Sequence, residues 1–460
     1  MSENFLWVVY IVVFGLGGIF PGFSQKIQLC IILFNILVIV INKKSKDIVL
    51  LSTFIMGSEV LAILNIIIYC IFNPNKKFHI PKMKNYQFIT VIVVLSNSVI
   101  CSVMYGTGWN LLFEIMYLFI LIVTGFVIAA DKIDIKRLIY ITKRIIVLEF
   151  LTSICIIFRT GSFSAGDLNY GTLRNAHYLG NLLIIIILAM LCIECRNIYN
   201  FTNFVKKDFW YILMIVLMLY LTDSKALDLS LACAVLLYFI VSVVVSEKSR
   251  CFIFLISLCM GMLIFVQILY LPEIQRFITR INPVMSVYIY KDGWNAKFSY
   301  FNGTFLNLFS GIRLFTGYGL GQYGSRVANA FAYNVMWRDD NFINNFISSV
   351  FSPHYVPQFA EYVSIYTEEF VQQIRWRSTV LSYPFSSFIA FIAEYGFAGF
   401  GLLSYMAGKM LKDSKCKIII AYFAVACIFD LYFDNFQCTG IVIFYLCNTI
   451  LKDNIEVINT

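Results

Sequence analysis

Two short polar stretches lie between apolar runs and carry side chains that suit a phosphate ligand. The first, NYGTLRNAHYLGN, contains Arg174, Asn175 and His177. The second, LTDSKALD, places Lys225 among acidic residues at the junction of two apolar runs. Cations near a membrane surface, facing a partly enclosed cavity, suit a phosphate or pyrophosphate head group. Both stretches are therefore candidate binding sites for a phosphorylated lipid.

A third set of candidates lies in the long polar region between residues 272 and 384. Aromatic residues at helical spacing over 357–377 predict an amphipathic helix in this region. Its opposite face carries carboxylates, which together with a nearby histidine could act as general bases. The aromatic residues suit sugar rings, so the three stretches together imply a lipid-phosphate glycan. The candidate bases are Glu361, Glu368 and His354, and the candidate cations are Arg313, Arg326, Arg375 and Arg377.

Each candidate also has a purely structural explanation. Lys225 could extend its ammonium group to the membrane interface without binding substrate. Arg174 could pair with Asp167 within its own loop, and His177 could hydrogen-bond inside the helix bundle. His354 could be an ordinary exposed loop residue, and the acidic face of the amphipathic helix could simply be solvated. The residues alone leave these alternatives open.

The composition is that of a membrane protein. Of the 460 residues, 60% are hydrophobic and 13% charged, whereas soluble domains carry about 25% charged residues. The net charge of +9 comes mostly from short basic loops, so it does not indicate nucleic-acid binding. The CxxC pair Cys192 and Cys195 has no second pair in the sequence and is interpreted as buried thiols. Asp and His residues do not cluster, so no metal site or other cofactor is predicted.

Hydropathy predicts an all-α polytopic membrane protein with about 12–14 transmembrane helices, since a span needs about 20 apolar residues. We expect an N-terminal transmembrane bundle over residues 1–271 and C-terminal transmembrane helices over 385–451. Between them, residues 272–384 are expected to form one large extracytoplasmic loop that contains short helices. The candidate spans are 5–21, 26–42, 48–72, 86–105, 110–130, 138–158, 177–195, 209–223, 226–246, 251–271, 385–407, 416–433 and 437–451.

Basic loops predict which side of the membrane each segment faces. KMLKDSKCK, SEKSR, RNIYNFTNFVKKD and DKIDIKR are expected on the cytoplasmic side, which puts the 272–384 loop on the other side. The N-terminal part conflicts with this scheme. NKKSKD and NPNKKFHIPKMK are both basic, yet they flank the apparent single span 48–72. The side of the N-terminus is therefore left open.

Four stretches, in order, resemble the O-antigen polymerase/ligase family of membrane glycosyltransferases. They are GTLRNAHYLGNLL, LTDSKALDLSLACAVLLYFIV, IRLFTGYGLGQYG and FIAEYGFAGFGLLSYM. The general plan of many spans, one large loop and a few closing helices is also similar. The resemblance covers roughly residues 85–450. The family usually has Arg where this chain has Lys225. A guanidinium group, which can hold a phosphate through two parallel hydrogen bonds, is thus replaced by a compact ammonium group.

The resemblance implies a GT-C-like, inverting and metal-independent polysaccharide polymerase in the bacterial inner membrane, with its active face periplasmic. Its substrate would be an undecaprenyl-pyrophosphate-linked oligosaccharide, and its partners membrane lipid and a chain-length regulator. Arg174, Lys225 and Arg313 would neutralise the leaving pyrophosphate. Two alternatives remain. An O-antigen ligase would transfer glycan to lipid A core, but SPHYVPQF matches the ligase histidine pattern poorly. A lipid-linked oligosaccharide flippase would show paired repeats and broken helices, and neither is evident.

Overall fold

The computed structural model of the chain is helical and contains no strand in the parts that it describes. These parts are residues 3–41, 45–73, 84–131, 133–161, 169–195, 198–222, 225–244, 271–281, 296–308, 311–323, 325, 386–410 and 417–449, with isolated positions between 253 and 268. The all-α prediction is thus confirmed for these residues.

Most helices are apolar along most of their length. Four segments are long and apolar enough to cross a membrane, namely α5, α6, α8 and the first 19 residues of α15, and seven further apolar helical segments are shorter. The helices of the N-terminal region are α1 (Glu3–Ile19), α2 (Ser24–Ile41), α3 (Lys46–Ser52), α4 (Glu59–Phe72), α5 (Asn85–Tyr105), α6 (Gly108–Ala130), α7 (Ile135–Thr160), α8 (Ala176–Glu194), α9 (Ile198–Lys207), α10 (Phe209–Thr222) and α11 (Lys225–Val244). Those that follow are α12 (Pro272–Ile281), α13 (Ala296–Leu308), α14 (Arg313–Thr316), α15 (Ser387–Met410), α16 (Lys417–Phe429) and α17 (Phe436–Asn448).

Glycines end two of the long helices. Gly106 follows α5 and Gly161 follows α7, with φ of 68° and 65°. Their N–H groups donate to the carbonyls of Ser102 and Ile157. Because glycine enters the left-handed region without a steric penalty, it satisfies a helix-end carbonyl while turning the chain.

The prediction of one span over residues 48–72 is wrong. This segment is a hairpin of two helical arms, α3 and α4, joined by a short 3₁₀ turn (Thr53–Ile55) and a break at Met56–Ser58. The start of α3 and the end of α4 lie side by side, as the hydrogen bond from the Lys46 ammonium to the Asn73 side chain shows. We call residues 46–72 the re-entrant hairpin.

Buried amides join the re-entrant hairpin to its neighbours. The Asn35 side chain on α2 donates to Ser52 Oγ at 3.1 Å and to Asn65 Oδ1 at 2.9 Å. Asn65 donates in turn to Thr53 Oγ1 at 2.7 Å, and the Tyr10 hydroxyl of α1 donates to Asn35 Oδ1. Interhelical hydrogen bonds of this kind hold apolar helices together where the hydrophobic effect contributes little.

Several helices begin or end at one end of the bundle, where polar side chains join them. We call it the Arg137 end. The Arg137 guanidinium pairs with Asp47 and with Glu3, each at 2.5 Å. The Tyr69 hydroxyl, near the end of α4, donates to Asp131 Oδ2 at 2.7 Å. The first arm of the re-entrant hairpin therefore starts at this end, and the second arm finishes here. The helix ends that flank the two basic N-terminal stretches lie at the same end of the bundle, so the structure does not place these stretches on opposite sides of one span.

The opposite end, the Arg174 end, contains the α5–α6 and α7–α8 turns. The Arg159 guanidinium, at the end of α7, donates to the Gly18 carbonyl of α1 at 3.2 Å. The link between α16 and α17, residues 430–435, also lies here. Glu59 at the start of α4 accepts from the Phe436 N–H at 2.7 Å, so the inner turn of the hairpin faces this end.

Candidate functional site

The turn between α7 and α8 holds an arginine in a strained conformation. We call residues 169–175 the Arg174 turn. Arg174 has φ 60° and ψ 14°, and it is the one non-glycine residue with a positive φ in the described parts of the chain. Such a conformation costs an L-residue of this type about 1–2 kcal/mol. Residues held this way cluster at functional sites, where the surrounding structure fixes them.

Hydrogen bonds to a buried carboxylate of α7 and a helix cap of α8 fix the conformation of the Arg174 turn. Glu149 of α7 is fully buried, and its carboxylate accepts from both the N–H and the hydroxyl of Thr172, the N–H at 2.9 Å. Asn175 caps α8, since its side-chain oxygen accepts from the N–H groups of His177 and Tyr178 at 2.9 and 3.2 Å. The turn is therefore held on both sides of Arg174.

The Arg174 side chain reaches across the end of the bundle. Its Nη2 donates to the carbonyl of Pro21, between α1 and α2, at 2.6 Å. A small recess lies beside it, with a cavity volume of about 10 Å³, which is room for about one water molecule. It is lined by Phe14, Gly17, Gly18, Ile27, Gln28, Tyr170, Gly171, Thr172 and Arg174. The Arg159 guanidinium lies 5.8 Å from the centre of the Tyr170 ring. Two arginines thus flank one recess.

An aromatic contact connects α8 to the α16–α17 link. The rings of Tyr178 and Tyr432 lie edge to face with centroids 6.1 Å apart. In the same link, Asp430 is a half-buried carboxylate whose Oδ1 accepts from the Leu431 N–H at 2.7 Å. The Asp430 carbonyl accepts from Ser387 at the start of α15. A carboxylate therefore lies at the same end of the bundle as Arg174.

The glycine-rich segment, residues 317–323 and Ser325, is built into the helix bundle. Glu394 of α15 is 1% exposed, and its carboxylate accepts from the N–H groups of Gly321, Tyr323 and Ser325 at 2.7, 3.0 and 2.9 Å. The Tyr318 N–H also donates to the Ala393 carbonyl at 2.7 Å. These bonds give Glu394 a structural role.

Helices α5 and α6 hold the other side of the glycine-rich segment. The Asn97 side chain donates to the carbonyls of Thr316 and Gly317, each at 3.1 Å. Asn110 donates to the Gly321 carbonyl, also at 3.1 Å, and Ser98 Oγ accepts from the Leu320 N–H at 3.0 Å. Part of the predicted extracytoplasmic loop is therefore wedged between α5, α6 and α15.

Two glycines, one in the glycine-rich segment and one in α15, allow the backbones of these two elements to come into contact. Gly317 and Gly396 have φ of 68° and 66°. A Cβ on Gly396 would lie 2.3 Å from the Phe315 carbonyl oxygen, and one on Gly317 would lie 2.4 Å from that of Glu394. This contact joins two of the four stretches that carry the family resemblance.

Arg313 lies at the edge of this wedge. Its guanidinium carbon is 4.8 Å from the centre of the Tyr318 ring, a cation–π distance. Its Nη2 donates to the Tyr105 hydroxyl at 3.4 Å. Because Tyr105 ends α5, the Arg313 charge lies at the Arg174 end of the bundle.

The predicted site residues divide into three groups. Arg174, Asn175 and His177 share one turn, and Arg313 lies at the same end of the bundle on another element. Lys225 begins α11, but its side chain lies outside the described parts of the chain. The remaining predicted site residues also lie outside them, namely Arg326, His354, Glu361, Glu368, Arg375 and Arg377.

Among the buried acids that the sequence analysis does not single out, two lie within apolar runs. Glu149 fixes the Arg174 turn, and Glu114 of α6 is 2% exposed, with the Tyr395 hydroxyl 3.5 Å from its Oε1. The signal was present, because each is a lone acid in an apolar run, and such residues are costly in a membrane unless they have a specific role.

The comparisons with known proteins add no relative to this picture. No protein-family model, no curated protein and no solved structure matches the chain.

Proposed function

We propose that this chain is a multi-pass membrane glycosyltransferase that polymerises O-antigen or a related surface polysaccharide. It would join undecaprenyl-pyrophosphate-linked repeat units at the periplasmic face of the bacterial inner membrane. The observation that carries the proposal is the strained Arg174, fixed at an end of the bundle beside a recess. The resemblance of its turn to the family's Arg/Asn stretch supports the same assignment.

The distribution of basic residues supports the proposed orientation. The helix ends that flank the basic stretches lie at the Arg137 end, and such stretches face the cytoplasm in membrane proteins. The Arg174 end would then be periplasmic, with about 12–14 transmembrane helices in all. Residues 272–384 would supply a periplasmic region of which the glycine-rich segment is the anchored part.

In the proposed reaction, a sugar hydroxyl of one repeat unit attacks the anomeric carbon of another chain. The new glycosidic C–O bond forms as the bond to the pyrophosphate oxygen breaks, and undecaprenyl pyrophosphate leaves with the bonding electrons. Arg174, Arg313 and Lys225 would neutralise the negative charge that grows on this oxygen, an effect that is largest in a site that excludes water. The hydroxyl proton would pass to a general base, for which Glu361, Glu368 and His354 are candidates.

Asp430 is a further candidate base at the same end of the bundle. It is half-buried, and one carboxylate oxygen accepts from Leu431. As in the family, the reaction would be inverting and metal-independent, and a chain-length regulator would be a partner.

A lipopolysaccharide gel of a deletion strain tests this function. We expect deletion to leave core carrying a single repeat unit, and the wild-type gene to restore the ladder. Arg174→Gly should keep the fold, because glycine accepts the backbone angles, and should fail to restore the ladder. Lys225→Ala should behave likewise. Bare core with accumulated lipid-linked polymer would instead identify a ligase. An unchanged ladder would contradict an O-antigen function.

A further inference from the structure

We infer that Gly57, at the tip of the re-entrant hairpin, is a positioning residue that sets the place of the Arg174 guanidinium. The inference rests on the proposed role of Arg174 in binding the substrate pyrophosphate. It assigns a function to the hairpin, which hydropathy alone describes as one ordinary span.

The first support is the closeness of the two residues. A Cβ on Gly57 would lie 2.5 Å from Arg174 Cγ and 2.6 Å from Cδ. It would also lie 2.7 Å from the carbonyl oxygen of Thr172 in the same turn. Real Cβ atoms do not approach heavy atoms this closely, so the aliphatic part of Arg174 lies where a side chain at position 57 would be.

The second support is that Gly57 has no conformational need to be glycine. Its φ is not among the positive values found at other glycines of the described chain. Its φ therefore does not exclude alanine, and what the glycine provides is space for the Arg174 side chain and the Thr172 carbonyl. This separates Gly57 from Gly317 and Gly396, where the backbone angle itself excludes other residues.

The third support is that the hairpin tip is held on three sides. The Ser58 N–H donates to Gln28 Oε1 at 2.9 Å, and Gln437 Nε2 donates to the Met56 carbonyl at 3.0 Å. The Phe436 N–H donates to Glu59 Oε1 at 2.7 Å. An added methyl group at position 57 would therefore displace the Arg174 side chain more readily than the tip.

A displaced Arg174 would lose its hydrogen bond to Pro21 and shift its charge relative to the recess. Because the guanidinium would still be present, binding of the pyrophosphate should weaken without disappearing. The effect should fall on substrate affinity and on the rate of the transfer step, since Arg174 would neutralise the charge that grows on the leaving pyrophosphate.

The experiment uses full-length protein purified in detergent and a short polyprenyl pyrophosphate as the probe. We expect Gly57→Ala to raise the probe Kd about tenfold, within the range of couplings between residues in contact. Gly22→Ala is the matched control, because it adjoins Pro21 and its Cβ would meet nothing within 4 Å. It should leave Kd unchanged. Polymerisation by Gly57→Ala should show a raised KM and a lowered kcat, because Arg174 would also neutralise the charge that grows on the leaving pyrophosphate.

A double-mutant cycle separates positioning from a general packing defect. In an Arg174→Ala background, the contacts with Cγ and Cδ are absent, whereas the approach to the Thr172 carbonyl remains. Adding Gly57→Ala there should change the residual Kd less than twofold. An equal change in both backgrounds, or an unchanged Kd in Gly57→Ala alone, would overturn the inference.

Three outcomes keep the test decisive. If Gly57→Ala fails to fold while the double variant folds, the Gly57–Arg174 contact is confirmed as the cause. If neither variant folds, Gly57 is a packing residue and the inference fails. If the wild type binds no probe and makes no polymer, the proposed function fails, whatever the variants do.

Discussion

The carboxylate of Glu394 and the backbone N–H of Gly321 are joined by a hydrogen bond of 2.7 Å across a sequence separation of 73 residues. Two more N–H groups, from Tyr323 and Ser325, donate to the other oxygen of the same carboxylate. One acidic side chain thus fixes the path of a glycine-rich segment. A carboxylate suits this task because both of its oxygens accept hydrogen bonds.

Glu394→Gln should destabilise the protein by about 1–3 kcal/mol, because one accepting oxygen becomes an NH₂ group that faces an N–H donor. The measurement is the midpoint of thermal unfolding in detergent. Glu273→Gln is the control, since Glu273 is exposed in the first turn of α12. Substitution of an exposed residue usually changes stability by about 0.5 kcal/mol or less. Equal midpoints for the two variants would contradict the anchoring role of Glu394.

Gly396→Ala should prevent folding, whereas Gly401→Ala in the same helix should be tolerated. Gly396 has φ 66° and ψ 178°, a region that only glycine occupies readily, and its Cβ would overlap the Phe315 carbonyl. Gly401 has open space around its Cβ, and alanine favours a helix by up to about 1 kcal/mol over glycine. Size-exclusion profiles in detergent would distinguish the two. A monodisperse Gly396→Ala protein would show that the contact can relax.

Glu149→Gln should be much milder than Glu149→Ala. The Gln oxygen can accept from the Thr172 N–H, and its NH₂ group can donate to the Thr172 hydroxyl, which then acts as acceptor. Alanine leaves the buried N–H of Thr172 without an acceptor, at a cost of about 1–3 kcal/mol. Thermal midpoints and probe affinity should fall in the alanine variant and stay near wild type in the glutamine variant. Equal losses would mean that the negative charge itself is needed.

The re-entrant hairpin predicts an unusual accessibility pattern. Cysteines introduced at Lys46 and at Lys84 should react with an impermeant thiol reagent from one side of the membrane. A cysteine at Gly22 should react from the other side. Labelling is compared with the parent protein, whose own cysteines set the background. Reaction of the Lys46 and Lys84 positions from opposite sides would contradict the hairpin and support a single span over 48–72.

The sequence predicts most helices well because an apolar run of the right length has few alternatives. The predicted span 86–105 is found as Asn85–Tyr105, and 177–195 as Ala176–Glu194. Helix ends agree within a few residues, where Gly106 and the Asn175 cap terminate or begin the helix.

The re-entrant hairpin was missed for a physical reason. A hydropathy window averages over Met56–Ser58 and cannot distinguish one long helix from two short arms that fold back. The break MGSE was visible, but its meaning depends on partners such as Gln28 and Gln437, which are distant in sequence.

Within the site, residue type predicted the cations but not their arrangement. Arg174, Asn175 and His177 were expected together because they are neighbours in sequence. The αL conformation of Arg174, its support by Glu149 and its contact with Gly57 depend on tertiary packing. The lone acids Glu114 and Glu149 could have been flagged from the sequence as costly residues in apolar runs.

The wedge formed by the glycine-rich segment has a consequence for biosynthesis. Asn97 leaves the ribosome 219 residues before Thr316, whose carbonyl accepts its hydrogen bond. At translation rates of about 5–20 residues per second, this interval is roughly ten to forty seconds. During that time α5 and α6 are already made, but the side-chain amides of Asn97 and Asn110 lack their native acceptors in residues 316–321. Insertion of the early helices must therefore precede their final assembly around residues 316–321.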